Sequence, residues 1–465
     1  MLFSSPIFFL FFAAYFLVHF AVPKRFRIYL IIAGSTVFYA WWKPEYVWLP
    51  YLVMSIAYGG TLLMDAARDS KIRKRRVICT IVILFLPLLF FKYTNFIYRD
   101  VIGPFAGWHD ELLKLPLPLG ISFITFTLTA YVVDVFKKKF DVRRDVQTVL
   151  GYVLFFPHLI AGPILRPDEL IPQLERPRAA TLRRAVAPLA IFTLGLVKKL
   201  VFADQISHLV DGVYAQAGTP SAPATLLAIY GFSVQIYCDF SGYTDMAIGL
   251  ALLLGVRLPN NFRQPYAAKS IIEFWRRWHI TLSYWLRDYL YIPLGGSRSG
   301  RLRQLQNVFV TMVLGGLWHG ANWTFVIWGL VHGTGVAAAH VLTRNSLGAW
   351  ALRAPKWLSV LATFHFVALA WVFFRAESLS KALSILAAPF TAGWTDTGPL
   401  LAANALPVLL IVLFFCMHPF DDYRRLKAAV RYVRPEIVWP VIALGWIVAI
   451  TVSQGSSAKF IYFDF

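Results

Sequence analysis

Charge is scarce in this 465-residue chain, and acid is scarcer than base. Asp, Glu, Lys and Arg together make up 15% of it, against roughly a quarter in soluble domains. That deficit, with 58% hydrophobic and 16% aromatic residues, argues against an ordinary soluble fold and for an all-α polytopic membrane protein. Cysteine is nearly absent. Cys79, Cys238 and Cys416 each sit in an apolar run without a close partner, so neither a disulfide framework nor a cysteine zinc site is expected. Residues 1–20 lack a basic leader and a small-residue cleavage site, so they read as a retained first helix and not as a signal peptide. No internal repeat or low-complexity stretch is visible. There is no Gly-x-Ser-x-Gly elbow, no phosphate-binding Gly-rich loop and no His-Glu-x-x-His. No metal site or bound cofactor is expected.

Base is what remains. Lys and Arg number 45 against 24 Asp and Glu, a net charge of +21. Nucleic acid is one reading of such a balance. The better one is the positive-inside rule, because the basic residues lie between apolar runs. Three basic stretches, residues 23–27, 71–76 and 137–145, are each separated by two candidate spans. All three can therefore face the cytoplasm together, which puts the N-terminus outside. Further candidate spans include 119–136, 150–164, 186–201, 225–256, 308–318, 323–342, 358–374, 400–418 and 438–452. The short 308–318 and the glycine-rich 225–256 are expected to be broken or re-entrant, as is tolerated only where backbone lines a protein cavity. One membrane domain over 1–465 is expected.

Residues 270–296 read as an interfacial amphipathic helix. Ser270 and Glu273 form a capping-box pattern. At helical spacing Trp275, Trp278, His279, Leu282, Trp285, Leu286 and Tyr289 share one face, and Glu273, Arg276, Arg277, Tyr284, Arg287 and Asp288 the other. By itself, His279 on the tryptophan face reads as a packed core residue. His319, in "LGGLWHGANWTFVIWGLVHG" (314–333), is an imidazole within membrane-like sequence, a setting that marks function by default. If its helix continues, Asn322 and Trp323 share its face. Asp239 and Asp245 lie in an apolar run, with Ser241 one turn from Asp245. Such acids must pair with cations or line a wet passage. His158, before Gly-Pro, reads as part of a helix end and turn.

Several stretches then identify a family. They are "FKYTNFI" (91–97), "LPLGISFITFTLTAYVVDVF" (117–136), "AGPILRPDELIPQL" (161–174), "YCDFSGYTDMAIGLALLLG" (237–255), the run 259–296, the run 314–333 and the terminal "FIYFDF" (460–465). In wording and order they resemble the bacterial membrane-bound O-acyltransferases, in particular their alginate O-acetylation branch. The teichoic acid D-alanyl transferases are similar at a greater distance. The resemblance implies a many-helix inner-membrane enzyme with a thin centre and a tunnel. It places the family's essential histidine on His319 and its second characteristic histidine on His279. It implies acetyl transfer from a cytosolic thioester such as acetyl-CoA toward an exported polysaccharide, with a periplasmic acetyltransferase as partner. His319 is then the candidate base, and His279 orients it or the substrate. Asn322 and Trp318 are candidate oxyanion donors. Trp275, Asp239, Asp245 and Ser241 line or brace the passage. Arg276, Arg277 and Lys269 hold donor phosphates or anchor in headgroups. D-alanyl transfer from a carrier protein stays open as an alternative. So does a transporter subunit in which Asp239, Asp245, His279 and His319 form a proton or substrate path.

Overall fold

A computed structural model describes residues 1–108, 110–176, 185–298, 300–342, 355–454 and 457–463. These residues form helices and connecting turns, with no β-strand among them. Six of the helices are long and apolar enough to cross a membrane: Pro44–Asp65, Ser70–Tyr93, Val186–Ala215, Trp323–Leu342, Lys356–Arg375 and Glu436–Ser453. The fold is the expected all-α, polytopic one. The chain packs as two compact units, one of residues 1–192 and 246–259, the other of 193–245 and 260–465.

In the first unit, helix Ile121–Phe136 is buried on nearly every side. It has no charged residue except Asp134, and it packs against Trp48–Asp65 and Ser70–Leu88. A knot of rings closes the unit: Phe38 lies 5.3 Å from Phe156 and 6.1 Å from Phe8. His158 is buried, and its Nε2 donates to the Tyr152 carbonyl at 2.8 Å. It is a packed histidine in the short helix Phe156–Leu159. The basic stretch 71–76 is not a loop. It forms the first turns of Ser70–Leu88, because Asp69 accepts the Lys71 N–H and caps the helix, and Lys and Arg are good helix formers.

In the second unit, the helices Arg301–His319 and Trp323–Leu342 form a tight antiparallel hairpin. Three expectations about continuity are corrected here. Ala222–Leu253 is one unbroken helix, not a re-entrant one. Its Gly242 serves close approach, not a break: a Cβ there would lie 2.7 Å from the Gly195 carbonyl oxygen. The run 308–318 is likewise part of the continuous helix Arg301–His319. A Cβ on its Gly316 would lie 2.2 Å from the Phe325 carbonyl oxygen. A bent span exists elsewhere, where Thr397–Ala403 and Ala405–Phe420 meet at 83°.

The third correction concerns 270–296, which is not one helix. Ser270 Oγ does accept the Glu273 N–H, as the capping pattern predicted, but the helix it starts ends at Trp275. A second helix runs Ile280–Leu286 and continues as a wider π-helical turn, Arg287–Tyr291. The break is made by the preceding segment. Arg263 N–H donates to the Arg277 carbonyl at 2.9 Å, and Ile280 N–H to the Asn261 carbonyl at 2.9 Å. These bonds satisfy peptide groups that a continuous helix would have paired internally.

Candidate active site

His319 is the last residue of its helix, and Gly320 leaves the helix with extended backbone. The helix therefore does not continue, and Asn322 shares no helical face with His319. Asn322 instead begins the next helix. Its Oδ1 accepts the Thr324 N–H at 3.0 Å and its Nδ2 donates to the Glu377 carbonyl at 3.1 Å. A Cβ on Gly320 would meet the Phe325 ring at 2.0 Å. Gly316 and Gly320 thus let the hairpin close, and the closure carries His319 into a cage of rings.

The cage is specific. The His319 imidazole, 3% exposed, has ring centroids of Trp318 at 4.9 Å, Trp328 at 5.1 Å, Phe374 at 5.2 Å and Tyr462 at 5.6 Å. Three helices and the C-terminal segment deliver these groups. Aromatic edges and faces fix the orientation of the imidazole.

His279 occupies the turn between the two short helices. Its backbone is left-handed, at φ 40° and ψ 57°, a region that a side chain with a Cβ enters only under constraint. Asn261 supplies that constraint. Its Oδ1 accepts the Thr281 N–H at 3.2 Å and the Thr281 hydroxyl at 3.0 Å, and His279 Nδ1 lies 3.1 Å away. A backbone N–H can only donate, so this Asn261 atom is the oxygen. The His279 Nδ1 then carries the hydrogen, and Nε2 is the accepting nitrogen of the neutral ring. Phe240 flanks the imidazole at 4.7 Å, and the Trp318 indole lies 6.2 Å from it. Trp318 therefore touches both histidines.

Behind the cage stands a buried charge network. Lys198 Nζ reaches Asp245 at 2.8 Å and Asp421 at 2.7 Å. Lys199 Nζ reaches Asp204 and Asp239, both at 2.8 Å. Two adjacent lysines aim at separate acid pairs from the start of a π-helical turn, Lys198–Ala203, a widened backbone often found near functional sites. Asp204 Oδ2 accepts the Ala458 N–H, and Asp239 Oδ2 accepts the Ile461 N–H. The network thereby ties down the segment that carries Tyr462 to His319. Ser241 is buried on the same helix as Asp239, and its carbonyl accepts the Thr244 hydroxyl.

The basic candidates lie at the edge of this assembly. Lys269 and Arg276 are exposed. Arg277 pairs with Glu273 at 2.5 Å and donates to the Gln264 carbonyl. Trp275 is half-buried, 5.8 Å from Trp328. The structure thus gathers His319, Trp318 and His279, keeps Trp275 one ring further out, and uses Asn322 as a cap. Sequence reasoning missed Asn261, Lys198, Lys199, Trp328 and Tyr462. The lysine pair within the apolar run 186–215 was a readable signal, since charge inside a span must be paired. Among the described residues no cluster of His, Cys, Asp and Glu suits a metal ion.

The sequence profile of the membrane-bound O-acyltransferase family matches residues 143–350. A probable alginate O-acetylase of Pseudomonas aeruginosa is 39% identical over 91% of this chain and 82% of its own length. A peptidoglycan O-acetyltransferase of Helicobacter pylori is 38% identical over 83% of this chain and 79% of its own. More distant is a teichoic acid D-alanyltransferase of Bacillus subtilis, 28% identical over 56% of this chain and 69% of its own.

Proposed function

Because the chain belongs to the membrane-bound O-acyltransferase family and is an O-acyltransferase, we propose that it moves acetyl groups toward an exported cell-envelope polysaccharide. The donor in this reading is a cytosolic thioester, acetyl-CoA. The acceptor is reached from the outer face of the inner membrane with the help of a periplasmic acetyltransferase. The polysaccharide assignment rests on the relatives, whose names point to alginate and peptidoglycan O-acetylation.

The observation that carries the chemistry is the His319 cage. A neutral imidazole suits a general base. It takes the proton of the acceptor hydroxyl as the oxygen attacks the thioester carbonyl. The resulting oxyanion is held by hydrogen-bond donors, for which the Trp318 indole N–H is a candidate. The C–S bond then breaks, the ester forms, and the proton passes from His319 to the departing thiolate. His279, with its hydrogen on Nδ1 fixed by Asn261, presents an accepting Nε2 that orients the substrate. The rings around His319 exclude water, which would otherwise hydrolyse the thioester. Lys269 and Arg276 suit the donor's phosphates at the cytosolic surface.

The test is acetyl transfer by purified protein from labelled acetyl-CoA. His319→Ala is expected to lower transfer by about 10²- to 10⁴-fold, the contribution of a positioned base, while the protein inserts and melts as wild type. Normal transfer by that variant, or transfer of D-alanyl but not acetyl from a carrier protein, defeats the proposal.

A further inference from the structure

The first acid along this chain is Glu45, so residues 1–44 carry base and no countercharge of their own. Within that stretch, in the first unit, the helices Pro6–Ala21 and Arg27–Ala40 lie side by side in opposite directions. Phe8 meets Phe38 at one end and Phe20 meets Arg27 at the other. Between them Gly34 permits close approach, since a Cβ there would lie 2.5 Å from the Tyr15 ring. One turn beyond Tyr15 comes His19, 2% exposed, with the two rings 5.8 Å apart. Arg27 continues the buried stripe of Ile31, Gly34 and Phe38 on its own helix. Its guanidinium carbon lies 5.6 Å over the Phe20 ring, and His19 sits within its electrostatic field.

Neither ring nitrogen of His19 has a hydrogen-bond partner among the described residues, nor do Arg27 Nε and Nη1 or the Tyr15 hydroxyl. No described carboxylate forms an ion pair with Arg27. A buried cation with no anion is costly, so the anion comes from outside the chain. The remaining 9% of the Arg27 surface is where an outside group reaches it. The setting says what that group is. Phe26 and Tyr29 beside Arg27 are exposed aromatics, the residues that mark headgroup depth. Leu10 and Leu17, two turns apart on one face of the first helix, are exposed as well. That apolar stripe suits lipid tails, and it leads to the turn that holds His19 and Arg27.

We propose that Arg27 and His19 form a binding site for the phosphate of an anionic phospholipid, which clamps the first two helices together. A guanidinium forms charge-assisted hydrogen bonds with phosphate oxygens, and a neutral imidazole donates one more from its single N–H. The helix that Arg27 opens has no acid in its first turn and no side-chain cap, so its positive pole is open to the same anion. Exposed Lys24 and Arg25 in the connecting turn draw anionic lipid toward the site. A free phosphate would satisfy Arg27 but leave the Leu10–Leu17 stripe uncovered; a lipid satisfies both. The positive-inside reading puts this turn in the cytoplasmic leaflet. The site involves neither His319 nor His279 and does not rest on the acyl-transfer reading.

The experiment uses the delipidated full chain in non-ionic detergent, titrated with phosphatidylglycerol, phosphatidylcholine or inorganic phosphate while binding and thermal melting are followed. Wild type is compared with Arg27→Met, Arg27→Lys, His19→Phe and the double variant Lys24→Gln/Arg25→Gln. Phosphatidylglycerol is expected to raise the wild-type melting temperature, and the other two additives to leave it where it was. Arg27→Met should weaken phosphatidylglycerol binding by about tenfold, the effect of losing one hydrogen-bonded charge. Arg27→Lys and His19→Phe should weaken it less, and the double variant less than Arg27→Met. Without lipid, Arg27→Met should melt no lower than wild type, because it loses no internal partner. A clearly lower lipid-free melting temperature overturns the proposal by showing that Arg27 is satisfied within the protein. So does a double variant as weak as Arg27→Met, which marks surface charge alone, or unchanged binding in Arg27→Met or His19→Phe. Equal stabilisation by phosphatidylcholine removes the selection for anionic lipid, and equal stabilisation by inorganic phosphate removes the lipid.

Discussion

Lys199 and Asp239 form a buried ion pair, Nζ to Oδ1 at 2.8 Å, and the other oxygen of the same carboxylate holds the Ile461 N–H at 2.7 Å. One acid thus joins a charged helix interior to the residue next to Tyr462, whose ring touches His319. Asp239→Ala removes both bonds and leaves Lys199 with Asp204 as its one acid partner. Leaving a buried charge with no partner costs about 3–5 kcal/mol, and the loss here is expected to fall below that. The variant is expected to melt earlier in detergent and to lose acetyl transfer per folded molecule, because the C-terminal segment loses its tether. An unchanged melting curve would show that the pair is not maintained in the membrane.

Lys198 stands between Asp245 and Asp421. Lys198→Met leaves two buried carboxylates facing one another. Adding Asp245→Asn removes one of those charges. The double variant is therefore expected to be less destabilised than the sum of the single ones, with a coupling of about 0.5–3 kcal/mol. Additive losses in a double-mutant melting cycle would contradict this geometry.

His279 separates backbone from side chain. Its φ of 40° favours glycine, since a Cβ in this region costs about 1–2 kcal/mol. His279→Gly is expected to be more stable than His279→Ala by about that amount, while both lose activity equally. If the alanine variant is the more stable, the left-handed turn is not the feature that breaks the helix pair. If either variant keeps full activity, His279 is a packing residue alone.

Gly316 has no room for a methyl group, because the obstructing atom is the backbone oxygen of Phe325. Gly316→Ala must part the hairpin, at about 1–3 kcal/mol for overpacking, and should reduce transfer by moving His319. Gly212→Ala is the control. Nothing lies within 4 Å of its added Cβ, and a helical glycine replaced by alanine gains about 0.5–1 kcal/mol. Thermal melting of the two variants side by side reads the difference.

Sidedness follows from the basic stretches. Single cysteines introduced at Lys24, Lys74 and Lys138 in a cysteine-free background are expected to react with a membrane-impermeant maleimide only when the cytosolic face is exposed. Labelling of all three from outside in intact cells would invert the topology and put the N-terminus inside.

Composition settled the environment of this chain before any contact was known. Fifteen per cent charge in long apolar runs admits helices in a bilayer and little else, and the wording around His319 and His279 singled out both histidines. What sequence could not supply was continuity and partnership. A glycine in an apolar run reads alike whether it breaks a helix or lets two helices touch. Gly242 and Gly316 do the second, which is visible only once Gly195 and Phe325 are opposite them. The helix expected over 270–296 failed for a related reason: its periodicity is real, but Asn261 and Arg263, distant along the chain, take the hydrogen bonds that would have carried it through His279. Tyr462 and Trp328 reach His319 from segments far apart in the sequence. Periodicity reports on one helix at a time, whereas a site made of rings from several helices exists only after they have packed.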